Sequence, residues 1–174
     1  FKNVGCDEFF INTHYLHKNF EEFIINKFYK DNINLIYEPA ILGTGGGIKN
    51  IFNYTKQKNI CVVNSDIFWE ANNKLDVSNF LQDFNKVTHC KILLSKNKNF
   101  FGLKKNRGDF NLLNDNIVKY ENGNDICFYS GLQIISKNVF QNTEINFSMN
   151  TIWNKLIIEK NLKGAIINSN ILHI

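Results

Sequence analysis

Gly43, Gly45, Gly46 and Gly47 place four glycines in five positions around Thr44, and an apolar, helix-like run follows from Ile48. Without side chains to shield them, main-chain N–H groups there can be approached by a flat base or an anion. A second stretch, Ile60-Cys61-Val62-Val63-Asn64-Ser65-Asp66, reads as a short buried strand delivering an aspartate at its C-terminal end. That end of a strand is where open α/β sheets bind ligands, and a carboxylate there is a hard oxygen ligand suited to Mg²⁺. Together the two stretches look like half of a nucleotide site. The plainer reading of Asp66 is a helix cap after a strand.

Other conspicuous residues read as structure. His14 and His17 precede a helical stretch without cysteine or carboxylate at metal spacing, which predicts packing or capping. Lys49, beside the glycines, is placed either to reach a phosphate or to face solvent. Met149, Trp153 and Leu156 lie at helical spacing and predict core.

These residues need a scaffold, and the pattern supplies one. Glu8 to Asn12 reads as a buried strand, Asn19 to Phe28 as a helix and Ile33 to Tyr37 as a second strand. After Pro39, the only proline, come a glycine turn, a helix through Ile48, Ile51 and Phe52, and the strand ending at Asp66. This βαβαβ rhythm predicts an α/β fold, a mostly parallel sheet covered by helices. Leu75 to Lys86 reads as a helix and Lys91 to Leu94 as a strand. From Asp109 the pattern changes to a hairpin, Asp109 to Leu113 and Ile117 to Tyr120, around Asn114-Asp115-Asn116. A long strand from Ile126 to Ile135 contains Gly131, a helix runs through Met149 to Ile157, and short strands at 165–167 and 171–174 follow.

Composition sets the outer limits. A chain of 174 residues, 44% hydrophobic with sixteen phenylalanines, can bury one core and predicts one domain or most of one. The net charge of +4 comes from scattered lysines and one arginine, Arg107, without a dense basic run, which argues against nucleic acid as a partner. Cys6, Cys61, Cys90 and Cys127 form no C-x-x-C pair and predict free buried thiols in a reducing cytoplasm. No apolar stretch has the length of a membrane span.

Five segments, taken in order, resemble sugar-1-phosphate nucleotidyltransferases: Glu8 to Leu16, Leu42 to Ile48, Val63 to Asp66, Arg107 to Phe110, and Tyr129 to Gln133. The likeness covers nearly the whole chain and is greatest to the bacterial N-acetylmuramate 1-phosphate uridylyltransferases and mannose-1-phosphate guanylyltransferases. It implies a Rossmann-like sheet with an added β-hairpin, and transfer of a nucleotidyl group from UTP or GTP to a sugar 1-phosphate for cell-envelope nucleotide-sugar supply. It further implies Mg²⁺ on Asp66, nucleotide contacts from Thr44, Gly45, Gly46 and Asn64, and sugar-phosphate contacts from Asp109, Ser130 and Gly131. Asp109 also reads as a turn residue, and Gly131 as a bulge.

Two departures from the family accompany the likeness. The family's opening strand, its G-x-G-x-R loop and its following lysine have no counterpart, so the resemblance implies one incomplete nucleotidyltransferase domain over 1–174, lacking its first βα unit. The family's second metal aspartate falls at His173, and imidazole is a poor Mg²⁺ ligand. Either the ion relies on Asp66, phosphates and water, or His173 touches phosphate. These departures also motivate a second class, a decayed nucleotide-binding remnant without activity. A Rossmann dehydrogenase is disfavoured, because the glycines lack G-x-G-x-x-G spacing with a downstream acid.

Overall fold

The computed structural model describes residues 1–102, 108–113, 116–119 and 126–174. Arg107, Asn114, Asp115 and Tyr120, which the sequence placed in a motif and a hairpin, lie outside the described residues. The chain forms two compact units: residues 1–56 with 142–149, and residues 57–141 with 150–174.

In the first unit β1 (Phe9–Thr13) pairs in parallel with β2 (Ile33–Tyr37) through α1 (His17–Phe28), a βαβ unit in which Phe9 faces Ile33 and Thr13 faces Tyr37. The apolar residues of α1 recur at helical spacing, yet none of its residues is buried. Phe20, Phe23 and Phe28 instead pack ring to ring. The following helix, α2 (Gly43–Ile51), begins at the first glycine, so the expected glycine turn is the opening of the helix itself.

The second unit contains β3 (Asn59–Val63), β4 (Ile67–Phe68), α3 (Lys74–Leu81), β5 (Cys90–Lys96), β6 (Phe100–Phe101), β7 (Phe110–Leu113), β8 (Asn116–Lys119), β9 (Cys127–Ser136), α4 (Met149–Ile158, whose first residue is counted with the other unit), β10 (Leu162–Ile167) and β11 (Ile171–His173). Six strands form one sheet in the order β3-β9-β5-β10-β8-β7, and β4-β11-β6 form a smaller one. The α/β architecture with flanking helices is therefore as the sequence implied, including the β7–β8 hairpin. Strand direction differs from the mostly parallel expectation. β5 and β10 are parallel, whereas β9 runs antiparallel to both β3 and β5. Helical crossovers impose parallel pairing only on the strands they join side by side, and β9 arrives from a hairpin and inserts between β3 and β5.

The core of this unit is largely apolar. Ile92 and Leu94 of β5, Leu132, Ile134 and Ile135 of β9, Leu162 and Ile167 of β10 and Ile152 and Leu156 of α4 are buried, each burial worth about 1.5–3 kcal/mol. Between Ile92 and Leu94 on β5, β9 advances from Gln133 to Tyr129, so β9 bulges at Ser130, Gly131 and Leu132.

Candidate functional site

Asp66 owes its position to two ladders. β3 ends at Val63, and Asp66 lies on the turn to β4 instead of at the strand end that the sequence suggested. Asn64 donates its N–H to the Gly131 carbonyl at 2.8 Å, which draws the turn onto the bulge of β9. Gly131 has φ +83°, and a Cβ there would lie 2.5 Å from Ile67 Cγ1 and 3.2 Å from Asn64 Cβ. Only glycine combines that backbone with that approach. Gly131 is thus both a bulge residue and a brace for the Asp66 turn.

On the other side, His173 faces Ile67 across the antiparallel β11–β4 pair, and the N–H of Ile174 donates to the Asp66 carbonyl at 2.9 Å. The side chains follow the backbone: His173 Nε2 stands 3.4 Å from Asp66 Oδ2, with 31% and 52% of the two side chains exposed. The two candidate metal ligands named from the sequence are therefore neighbours.

Among the described residues, no three His, Cys, Asp or Glu side chains cluster as a complete metal site. The residues present nonetheless fit a divalent ion of partial protein ligation. A half-exposed carboxylate and an adjacent imidazole offer two donors on an open face, with phosphate and water left to complete the shell. Asp66 would anchor such an ion.

Of the remaining candidates in this unit, Asp109 is tied to backbone and Ser130 is buried. The Asp109 carboxylate accepts the N–H of Tyr129 at 3.1 Å, and its own N–H donates to the Cys127 carbonyl at 2.9 Å, so Asp109 ties the hairpin to β9. Ser130 is fully buried, and its hydroxyl makes no hydrogen bond among the described residues; the Tyr129 hydroxyl is the same. Burial raises the Tyr129 pKa well above its ordinary value, with Cys90, Cys61 and Asp66 adding to it.

In the first unit the glycines meet the chain itself. Gly45 and Gly46 donate their N–H groups to the Phe147 carbonyl at 2.9 and 3.2 Å, and Thr44 Oγ1 accepts the N–H of Met149 at 2.9 Å. A Cβ on Gly46 would fall 2.2 Å from the Ile145 carbonyl oxygen, and one on Gly45 2.3 Å from the Phe147 ring. Lys49 donates to the carbonyls of Thr143 and Glu144 at 2.8 and 3.1 Å. His14 Nδ1 meets the Glu38 carbonyl at 2.6 Å, and His17 packs on Tyr37 with Nδ1 at 2.7 Å from Thr13 Oγ1, as the packing reading anticipated.

One group went unread in the sequence. Glu38, at the carboxyl end of β2, is 8% exposed; its carboxylate accepts from Asn12 Nδ2, which also reaches the Gly47 carbonyl at 3.2 Å. Open α/β sheets bind ligands beyond the carboxyl ends of their strands, which is where Glu38 stands. The usable signal was an acid directly between an apolar strand and the sole proline.

Comparison with known proteins places these observations. No family model matches the chain. A curated relative, the D-glycero-alpha-D-manno-heptose 1-phosphate guanylyltransferase of Aneurinibacillus thermoaerophilus, is 36% identical over 62 residues, a match spanning 36% of this chain and about a quarter (27%) of that protein. Among solved structures, HddC from Yersinia pseudotuberculosis complexed with GMP-PN has a TM-score of 0.72 at 19% identity, covering 99% of this chain and 75% of that one. The inositol-1-phosphate CTP transferase from T. maritima has a TM-score of 0.72 at 12% identity, over 98% of this chain and 71% of that one. The chain shares the fold of these solved structures. The likeness to sugar-1-phosphate nucleotidyltransferases that the sequence carried is thus met both in a curated relative and in solved structures.

Proposed function

We propose that this protein is a sugar-1-phosphate nucleotidyltransferase, and the observation that carries the reading is the Asp66–His173 pair in this fold. A phosphate oxygen of the sugar 1-phosphate attacks the α-phosphorus of an NTP, the α–β anhydride bond breaks, and pyrophosphate leaves with its electron pair. The nucleophile needs no general base, because a phosphate monoester has a second pKa of about 6 and is already ionised at neutral pH. The demand falls on alignment of two anions and on neutralising charge at the α-phosphate. A divalent cation, when bound, supplies that neutralisation.

This chain's residues divide the remaining work. Asp66 holds the ion and His173 flanks it, while Asn64 and the Gly131 brace fix the turn that presents Asp66. Thr44, Gly45 and Gly46 are assigned to the nucleotide; with their polar groups held by Phe147 and Met149, they act through the shape of α2. Asp109 and Ser130 are assigned to the sugar-phosphate side through the hairpin and bulge they hold. The setting proposed is cytoplasmic supply of nucleotide sugars to the cell envelope, with Mg²⁺ or a related ion. Among the described residues, no helix is long and apolar enough to cross a membrane.

Between UTP and GTP, the reading favours GTP. Guanine presents two adjacent donors, N1–H and the 2-amino group, which a carboxylate such as Glu38 can accept together; uracil presents one donor between two acceptors. The guanylyl specificity in the name of the curated relative points the same way. The test is pyrophosphate release from GTP and UTP with a panel of sugar 1-phosphates, using protein from the complete reading frame. Nucleotide binding without turnover on any of them favours the remnant reading.

A further inference from the structure

The separation of 3.4 Å between His173 Nε2 and Asp66 Oδ2 is longer than a well-formed N–H···O bond. It is near what two adjacent donors on one octahedral ion need: with bonds of about 2.1–2.2 Å, cis ligand atoms lie about 3 Å apart, so a closure of a few tenths of an ångström completes the chelate. The pair is also braced from both sides. Beyond the parallel β6–β11 pair, Gly102 adopts φ +83°, and a Cβ there would lie 2.2 Å from the His173 carbonyl oxygen. Gly131 braces the Asp66 turn from its own side, where a Cβ would meet the side chains of Ile67 and Asn64. A glycine in close contact beside each donor, where no Cβ could fit, fixes how far apart they stand.

We propose that Asp66 and His173 form a nitrogen–oxygen chelate that favours divalent ions tolerant of imidazole over Mg²⁺, with Mn²⁺, an oxygen-binding ion that also accepts a nitrogen donor, as the probe. The inference rests on the nucleotidyl-transfer reading for the purpose of the ion and on the pair's own geometry for its identity. Mg²⁺ takes oxygen almost exclusively and sheds water reluctantly, so at this pair it has one protein donor. An ion that accepts imidazole has two. Gly102 is a positioning residue in this scheme, acting through His173.

The experiment uses protein from the complete reading frame, without nucleotide. Mn²⁺ binding is followed by loss of the free-ion electron paramagnetic resonance signal, and Mg²⁺ by its competition against Mn²⁺. The wild type is expected to bind Mn²⁺ at least about tenfold more tightly than Mg²⁺. His173→Asp should bring the two affinities within about threefold of each other by raising that for Mg²⁺, and Asp66→Asn should abolish binding of both. Should His173→Asp not fold, as judged by circular dichroism, His173→Gln serves instead and should lower the Mn²⁺:Mg²⁺ ratio by about tenfold. An unchanged ratio in the folded His173 variant overturns the proposal, as does Mn²⁺ binding that survives Asp66→Asn. Pyrophosphate release is scored separately. Transfer that depends on Asp66, beside an ion ratio indifferent to His173, defeats the chelate and leaves the enzyme reading standing; ion selection by the pair without transfer does the reverse.

Discussion

Gly46→Ala and Gly47→Ala add the same methyl group to the same helix one residue apart, and the structure predicts opposite outcomes. At Gly46 the new Cβ would sit 2.2 Å from the Ile145 carbonyl oxygen and 3.0 Å from Leu42 Cβ, and a main-chain oxygen cannot rotate away. Overpacking of this kind costs about 1–3 kcal/mol. Moving the segment also loosens the hydrogen bonds from Gly45 and Gly46 to Phe147, each worth about 1 kcal/mol. Alanine returns about 1 kcal/mol in helix propensity, leaving Gly46→Ala destabilised by about 2–4 kcal/mol. At Gly47 the nearest atom is Glu38 Oε1 at 3.4 Å, an ordinary contact on a flexible side chain. There the propensity gain stands nearly alone, and the variant should range from neutral to about 1 kcal/mol more stable. Urea unfolding followed by far-ultraviolet circular dichroism measures both, with a shift in midpoint at constant slope reporting stability. Two variants within about 0.5 kcal/mol of each other would refute the claim that Ile145 to Phe147 fill the space the glycines leave.

Glu38→Gln keeps the size of the side chain but turns one acceptor into a donor, so GTP turnover should fall about tenfold or more relative to UTP, read as the ratio of kcat/KM; an unchanged ratio removes Glu38 from base selection. Gln133, 2% exposed, accepts from Trp153 Nε1 at 3.1 Å and from Cys90 Sγ at 3.4 Å. Gln133→Leu should therefore destabilise the protein by about 1–3 kcal/mol and alter tryptophan fluorescence, by leaving the half-buried indole N–H without its partner. The hydrogen bond from Lys91 holds the Asp83 pKa below its ordinary value, with the attraction of Lys91 and Lys86 adding to it against partial burial. That stabilisation is present above the ordinary carboxylate pKa and is lost as pH falls through the depressed one. Asp83→Asn should lose it at neutral pH, by less than about 1 kcal/mol for a carboxylate that is 41% exposed, and the stability curves of variant and wild type should converge in acid.

Most elements were legible because their patterns are local. β2 occupies Ile33–Tyr37, as its apolar run indicates, and the bulge expected at Gly131 is present. The neighbourhood of Asp66 and His173 came from a resemblance, since no periodicity links a turn after β3 to the last strand. What stayed hidden is what depends on distant partners. A glycine announces that room has been left but not for what, and Ile145 to Phe147, far downstream, take the room beside α2. Strand direction is likewise set by which strand inserts where, and β9 enters antiparallel between two others. The turn carrying Asp66 leaves the β3 line because Gly131 accepts the Asn64 N–H, a contact invisible in either local sequence. Glu38 was missed because one acid after a strand looks like an ordinary surface residue until its burial is known.

The central claim is that the Asp66 carboxylate supports nucleotidyl transfer, and steady-state pyrophosphate release by wild type and Asp66→Asn tests it most directly. With protein from the complete reading frame, GTP, a sugar 1-phosphate and a divalent ion, the account predicts that kcat falls at least about a hundredfold in Asp66→Asn while the fold is retained. Equal turnover in the two proteins would contradict it.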